Sequence, residues 1–486
     1  MDLKCIFSLA ILVSHISLSS TQNVNVVIQG ATSIGETDDN FDLKKKGLIN
    51  AIKAFNPLRI KVGGSLQDHV AYGVGGVKNC PNFMKNEDSL FGFSQAAFPW
   101  IDGTNSINFS IKLVKVTFGL NALLGRNRSQ IEKGLWGGNW KSQNARDFMK
   151  YTISKGYKVD SYEFGNQLSR AGMGASVEAE QYGKDTVVLK NLVKELHPDP
   201  KTQPKVLGPS GYHDEKWFNS FLEVSGHDAV DGVTHHIYNL GPGDDPNMIT
   251  KIQDPSYLNQ VAQTYKGVLN IINKFKPQSG AWVFESGRAL HGGAKDLSPT
   301  FADGFWYLDQ FGMASTYNRK VFCRQTLIGG NYALLNTTTS IPIQITTGPA
   351  LLWHRLMGST VLAVTQESNP NLRPGISIIF INLSKDSSFN VTLSNYEHQS
   401  RNLRSTDVAK PEFRGSNDRE EYHLATLAGN IQGQIVLLND VPMVPTETFD
   451  IPAMEPKLVN ASTPISIVAH SIVYVTIRDF QAPACA

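Results

Sequence analysis

The chain has 486 residues, 41% of them hydrophobic and 18% charged, which is globular composition and excludes a disordered or fibrous polymer. Its 45 Lys and Arg nearly balance its 43 Asp and Glu, so it lacks the strongly basic domain of a nucleic-acid binder and no nucleic-acid partner is expected. Four cysteines are too few for a disulfide-built scaffold; the length suits one large domain of roughly 250–300 residues and a second, smaller one.

The first twenty residues, MDLKCIFSLAILVSHISLSS, set one Lys before an apolar run from Cys5 to Val13, followed by small polar residues. The run is too short to cross a bilayer, and the order is that of a secretory signal peptide over 1–20. No later segment reaches ~18 uninterrupted apolar residues, so a secreted, extracellular chain without a transmembrane segment is expected. The closing IRDFQAPACA carries no hydrophobic tail of the lipid-anchor kind. Loss of the signal leaves Cys80, Cys323 and Cys485, enough for one pair and one free thiol, with the pairing open. Behind a signal peptide, the sequons at Asn108, Asn127, Asn336, Asn382, Asn390 and Asn460 are expected to be glycosylation sites on surface loops.

Val24–Gln29 reads as a strand; residues 21–41 are grouped with the C-terminal β-domain, and the alternative is that this run fills a gap in the sheet that follows at the cost of a strand of the β-domain. Strands then alternate with amphipathic helices from about 58 to 335: Leu58–Val62, Val114–Leu120, Val159–Phe164, Lys205–Gly208, Val233–Tyr238, Ala281–Phe284 and Val321–Leu327. Leu258, Val261, Ala262, Tyr265, Val268, Leu269 and Ile272 keep helical spacing, with Asp254-Pro255 as N-cap and first residue. A second helix carries Val188, Leu189, Leu192, Val193 and Leu196. Repeated units of this size imply a parallel sheet. Several strands end in polar or Gly-rich tips (GGSLQD, GLNALLGR, GNQLS, HHIYN, ESGR), which favours a (β/α)8 TIM barrel over 42–340 rather than an open sheet. Only seven good strands are countable, one short of eight. Short β runs with turn residues predict an antiparallel β-sandwich within 341–486.

Glycosidases need two carboxylates flanking the bond that breaks, and a retaining mechanism sets them ~5–5.5 Å apart. Glu285, at the end of a strand, is the candidate nucleophile; a structural ion pair with a neighbouring Arg is the alternative. The tip Glu163-Phe-Gly-Asn166-Gln167 offers an amide where an acid is expected, and Gln has no proton to donate in this role. Glu163 lies four residues back, ~13 Å deeper at ~3.3 Å per residue, and is expected inside the barrel. His235 and His236 point to opposite faces and make a poor metal pair; no metal or cofactor is expected. His236 and Tyr238 share a face and could bind sugar hydroxyls or orient a carboxylate, or could be packed core polar residues. Asn121, Arg126, Trp136 and Trp140 could wall a sugar site, although lone tryptophans are more often core.

The segments GGSLQD (63–68), FGLNALLGR (118–126), EFGNQLSRAGMGASVEAEQYGKD (163–185), THHIYNLGPG (234–243), FWYLDQFGMAS (305–315), CRQTLIGGNY (323–332), ALLWHRLMG (350–358) and REEYHL (419–424) resemble, in order and over almost the whole mature chain, the plant-type heparanase-like proteins of glycoside hydrolase family 79. The resemblance implies a (β/α)8 barrel with a C-terminal β-domain, secretion, and retaining hydrolysis of β-glucuronide links in a glucuronic-acid-containing glycan or glucuronide. It implies a cell-wall or apoplast location, with peripheral contact at a lysosomal or vacuolar membrane as the alternative. Glu285 matches the family nucleophile, Asn166 the Asn before the acid/base, and Gln167 the acid/base position, substituted. His236, Tyr238, Asn121, Gly63 and Gly64 match substrate-side positions. A catalytically silent member that binds acidic glycans is the alternative.

Three departures accompany the resemblance. After TDDNF, Phe41 runs straight into Asp42-Leu-Lys-Lys-Lys-Gly47, where relatives have a Cys- and Trp-rich segment with the first barrel strand, so the resemblance implies that this barrel lacks or replaces its first strand. IPIQITTGP (341–349) replaces a Tyr-containing loop. Phe284 and Arg288 flank Glu285 where relatives carry small residues.

Overall fold

Along Leu58–Val62, apolar Leu58 and Ile60 alternate with basic Arg59 and Lys61, so the two sets face opposite ways. Leu58 and Ile60 join the large apolar cluster beneath the surrounding helices. Arg59 and Lys61 point into a closed barrel, over the rings of Trp282 and Phe284. The computed structural model describes residues 25–29, 46–55, 58–77, 84, 96–98, 114–169, 174–290, 292–326, 331, 333–334, 344–362, 365–368, 375–393, 418–446 and 450–478.

Eight parallel strands close the barrel in chain order: β1 (Asn25–Gln29), β2 (Leu58–Val62), β3 (Val114–Leu120), β4 (Ser161–Phe164), β5 (Lys205–Gly211), β6 (Gly232–Ile237), β7 (Ala281–Ser286) and β8 (Arg319–Gln325), which pairs back to β1. Around it run α1 (Lys46–Ala54), α2 (Gln143–Ser154), α3 (Ala179–Leu196), α4 (Glu215–Ser225), α5 (Ala262–Phe275), α6 (Ala302–Thr316) and α7 (Gln344–Leu356). The expected helix from Leu258 resolves into a turn, Pro255–Leu258, then a 3-10 turn, then α5; Asp254 caps the turn, accepting from Ser256 N at 2.8 Å. Gln344 to Pro349, in the segment expected to replace a loop, already belong to α7.

The structure corrects one expectation about domains. Asn25–Gln29 belongs to the barrel and not to the β-domain: Val27 sits opposite Cys323 of β8 and Arg59 of β2, in parallel register with both. Seven strands would leave two edges of unpaired backbone groups, and β1 satisfies both at once. The barrel's first strand is thus replaced rather than lost. Residues 1–20 and 30–45, with the expected signal peptide and the shortened segment, lie outside the described residues, as do Cys80, Cys485, Asn108 and Asn336.

The C-terminal strands are β9 (Met357–Leu362), β10 (Thr365–Ser368), β11 (Gly375–Asn382), β12 (Phe389–Val391), β13 (Asp418–Thr426), β14 (Val436–Leu438), β15 (Val441–Pro442), β16 (Lys457–Asn460), β17 (Ile465–Ile467) and β18 (Ser471–Arg478). They form an antiparallel sheet ordered β9-β10-β11-β18-β13-β14-β15, with β16 on β13, and a two-stranded layer of β12 and β17. Period-two alternation on β18 explains its place. Ile472 and Tyr474 pack with Leu351, Leu352 and Trp353 of α7, while Val473, Val475 and Ile477 pack with Ile465 and Ile467 of β17. Tyr474 Oη donates to Pro349 O at 2.9 Å. Asn127, Asn390 and Asn460 are exposed. Asn382 departs from the expected surface sequon: it is buried, and its Nδ2 donates to Ser387 O and Val468 O, both at 2.8 Å. No helix among the described residues is long and apolar enough to cross a membrane.

The placement of β1 is testable. Val27→Pro removes an N–H inside a strand paired on both sides, so we expect little soluble protein or a clearly lower melting temperature. Wild-type melting of that variant would remove residues 25–29 from the barrel.

Candidate active site

Two bulges shape the C-terminal end of the barrel. On β7, His235 of β6 faces Val283 and His236 faces Glu285, so Phe284 is passed over. On β5, Thr234 faces Pro209 and His235 faces Gly211, so Ser210, at φ 53°, is passed over. A bulge re-aims the side chains around it. Here Phe284 turns into the barrel with Trp282 and Cys323, and Glu285 still reaches the interior side. Ser210 reaches both Lys61 Nζ, at 3.2 Å, and His236 Nε2, at 2.9 Å.

Glu285 is buried, with 6% exposure, under a ring of polar groups. Tyr238 Oη donates to Oε1 at 2.7 Å; His236 Nε2 lies 3.8 Å and Lys61 Nζ 3.9 Å from Oε2. Gln167, in the left-handed region at φ 56°, places its Nε2 3.0 Å from His236 Nδ1. His236 therefore stands between the carboxylate at 285 and the amide at 167, touching the surroundings of both. With the amide donating to Nδ1, the imidazole carries its proton on Nε2.

The charges follow from burial. Burial pulls the His236 pKa down to about 3; Glu285 pulls the other way and Lys61 adds to the drop, so the ring is neutral. Burial also opposes the Lys61 ammonium, but the carboxylates of Glu163, 2.7 Å away, and Glu285 outweigh it and hold its pKa above the ordinary value. Burial pushes Glu163 up, and Lys61 draws it partly back. Glu163 is a barrel-interior residue, as its place four residues before the tip requires. Tyr212 packs 6.2 Å from the His236 ring and 6.3 Å from the Tyr238 ring. Burial, then the charge of Glu285, raises its phenol.

The structure brings Glu285, Gln167, His236 and Tyr238 together. His235 turns away, accepting from Arg319 Nε at 3.1 Å. Asn166 is buried beside them, and its Oδ1 has no hydrogen-bond partner among the described residues. Asn121 is engaged within its own strand tip. Its Nδ2 donates to Val70 O at 2.9 Å and its Oδ1 accepts from Leu123 N at 2.8 Å and Leu124 N at 3.0 Å, so the side chain builds its own loop. Arg126 pairs with Asp185 at 2.7 Å and Trp140 is core, donating to Asn121 O at 2.9 Å. Trp136 is half-buried beneath the Arg128 guanidinium. Gly63 and Gly64 form the β2 tip; a Cβ on Gly63 would stand 2.3 Å from Gln67 Oε1, and Gly64 adopts φ 139°. Arg288 is buried 3.4 Å from Asp303 Oδ1. Cys323 is a free thiol inside the barrel.

Sequence reasoning missed Lys61, Ser210 and Tyr212. Lys61 had a readable signal, a second basic residue at alternate positions of an apolar strand. Ser210 and Tyr212 had none, because a bulge is invisible to a period-two pattern.

Glu285, with Lys61 and His236 beside it, lies at the C-terminal end of a (β/α)8 barrel, the face where barrel enzymes carry their sites. A family model described as Glycosyl hydrolase family 79, N-terminal domain, matches residues 25–312. Heparanase-like protein 2 of Arabidopsis thaliana is 41% identical over 96% of this chain and 96% of its own length. Baicalin-beta-D-glucuronidase of Scutellaria baicalensis is 32% identical over 90% and 83%. A solved 4-O-alpha-L-rhamnosyl-beta-D-glucuronidase from Fusarium oxysporum has the same fold, with a TM-score of 0.62 over 95% of this chain and 98% of that one, at 14% identity. The chain belongs to glycosyl hydrolase family 79.

Two outcomes follow from the electrostatics. The His236 pKa lies near 3 when folded and at the ordinary 6.5 when unfolded. The unfolded chain therefore binds this proton first, and stability present above pH 6.5 is lost as the pH falls toward 3. His236→Asn is expected to reduce the acid slope of unfolding free energy, measured by urea titration between pH 6 and 4, by about 1.4 kcal/mol per pH unit; an unchanged slope would mean an accessible imidazole. Lys61→Met strands two buried carboxylates and is expected to cost about 3–5 kcal/mol. Adding Glu163→Gln is expected to recover much of that loss in the same titration, and a purely additive further loss would speak against the ion pair.

Proposed function

We propose that this chain is a secreted glycosidase acting on β-glucuronide links of glycans or glucuronides, by a retaining mechanism with Glu285 as nucleophile. The observation that carries the reading is the setting of Glu285: buried, fixed by Tyr238 at 2.7 Å, and facing Lys61 and neutral His236. Relatives named as a glucuronidase and as heparanases support the substrate class. Glu285 attacks the anomeric carbon, the bond to the aglycone oxygen breaks, and water later releases the sugar from Glu285. Asn166 Oδ1, which has no hydrogen-bond partner among the described residues, suits a sugar hydroxyl. The signal segment 1–20 supports export, and the exposed sequons Asn127, Asn390 and Asn460 suit a glycoprotein.

Gln167 limits the first step. It can hold its hydrogen bond to His236 but cannot give a proton to the leaving oxygen, a contribution typically worth about 10²–10⁴-fold. The chain is therefore a slow enzyme, least impaired where the aglycone leaves unprotonated. The same substitution favours a second reading, a silent member that retains glycan in the cleft.

Aryl β-glucuronide turnover separates the two. Gln167→Glu is expected to raise the rate at least about tenfold, and Glu285→Gln to abolish it. An unchanged rate for Gln167→Glu, with Glu285→Gln inactive, would place the acid elsewhere. No turnover by either the wild type or Gln167→Glu, together with a glucuronide-induced rise in melting temperature, would establish the binding reading.

A further inference from the structure

Asp68 closes the 3-10 turn Ser65–His69 that follows β2, and only 3% of it is exposed. Its two oxygens serve two different strand tips. Oδ1 accepts from Ala122 N, just beyond β3, at 2.8 Å; Oδ2 accepts from Asn166 N, just beyond β4, at 2.8 Å. The turn itself is keyed to the barrel by Gln67, whose Oε1 accepts from Gly64 N at 3.0 Å and whose Nε2 donates to Leu120 O at 3.4 Å. A Cβ on Gly119 would stand 2.1 Å from that Oε1, so the close approach requires glycine. Beyond Asn166, Gln167 N donates to Ser210 O at 2.6 Å, and the chain turns through positive φ at both Gly165 and Gln167.

We propose that Asp68 is a positioning residue that aims residue 167: by holding Asn166 N against the β2 turn, it sets where the next side chain points relative to His236 and Glu285. The proposal rests on reading residues 285 and 167 as the reacting pair. Asp68 touches neither. Between Asp68 and Ser210 O, the two successive N–H groups at 166 and 167 are both anchored, which leaves the 167 side chain little backbone freedom. Burial lifts the Asp68 carboxyl against the pull of the two amides and Arg126, and it comes to rest at about 7. An Asn here can accept one N–H, but its own NH2 then meets the other donor, so one anchor is lost without change of size.

The test uses the full chain carrying Gln167→Glu, where residue 167 can act as an acid. Phenyl β-glucuronide needs a proton on its leaving oxygen; 2,4-dinitrophenyl β-glucuronide does not. Asp68→Asn is expected to lower kcat/KM on the phenyl substrate at least about tenfold and on the dinitrophenyl substrate less than about threefold. Equal losses on both, or no loss on either, overturn the proposal, because general damage to the fold makes no distinction between leaving groups. Asp68→Ser, which leaves room for a water, repeats the comparison if the Asn variant does not fold. If Gln167→Glu cleaves neither substrate, the glucuronidase reading fails. Asp68 is then judged by hydrogen exchange in the chain with Gln167. The variant is expected to exchange at least about tenfold faster over 163–169 and unchanged over 281–284; unchanged exchange at 163–169 overturns the assignment.

Discussion

A lysine ammonium sealed inside a barrel constrains everything around it. Lys61 has no exposed side-chain surface, and removing such a charge from water costs several kcal/mol even after relaxation. It is held by Glu163 at 2.7 Å, by Ser210 Oγ at 3.2 Å, by the more distant Glu285, and by the Phe284 face 5.2 Å away. These partners come from three strands, so the ammonium sets how β4, β5 and β7 end. Ser210 and Glu285 reach inward only because each strand carries a bulge there. The bulges and the buried charge are one device: without the bulges the cation loses two neighbours, and without the cation the carboxylates face a dry interior uncompensated.

This device also explains which parts of the molecule were legible in the sequence. Alternating βα units, the helix after Asp254-Pro255 and the β18 alternation are local patterns that tertiary structure reinforced. The role of Asn25–Gln29 was not legible, because an isolated apolar run fits either domain and only the closed hydrogen-bond ladder with Cys323 and Arg59 decides between them. Asn121 shows a second thing the pattern does not reach. Its position at a strand tip suggests a ligand contact, while its side chain satisfies its own loop's backbone donors, as Asn does in turns. A strand tip locates the cleft, but only hydrogen-bond accounting separates a residue that builds the tip from one that offers atoms to a ligand.

The environment of residue 167 gives the substitution a physical meaning. Neutral His236 presents the lone pair of Nδ1 to the side chain at 167, and Gln167 answers with an N–H at 3.0 Å. A protonated glutamic acid in that place would donate an O–H to the same lone pair. An ionised one would bring its own lone pairs against it, inside a buried site, and its pKa would rise. Gln167 therefore resembles the protonated acid in shape, charge and hydrogen bonding, and differs only in being unable to release the proton. The surrounding geometry needs no rearrangement to accept the amide. On the proposed reading the loss falls on one elementary act, proton delivery to a leaving oxygen, while the contacts that hold Glu285 and the anchors at Asn166 N and Gln167 N are retained. Turnover and binding are thus separable here in a way that loss of Glu285 or Lys61 would not allow, since either of those changes would unbalance the buried charges on which the barrel end is built.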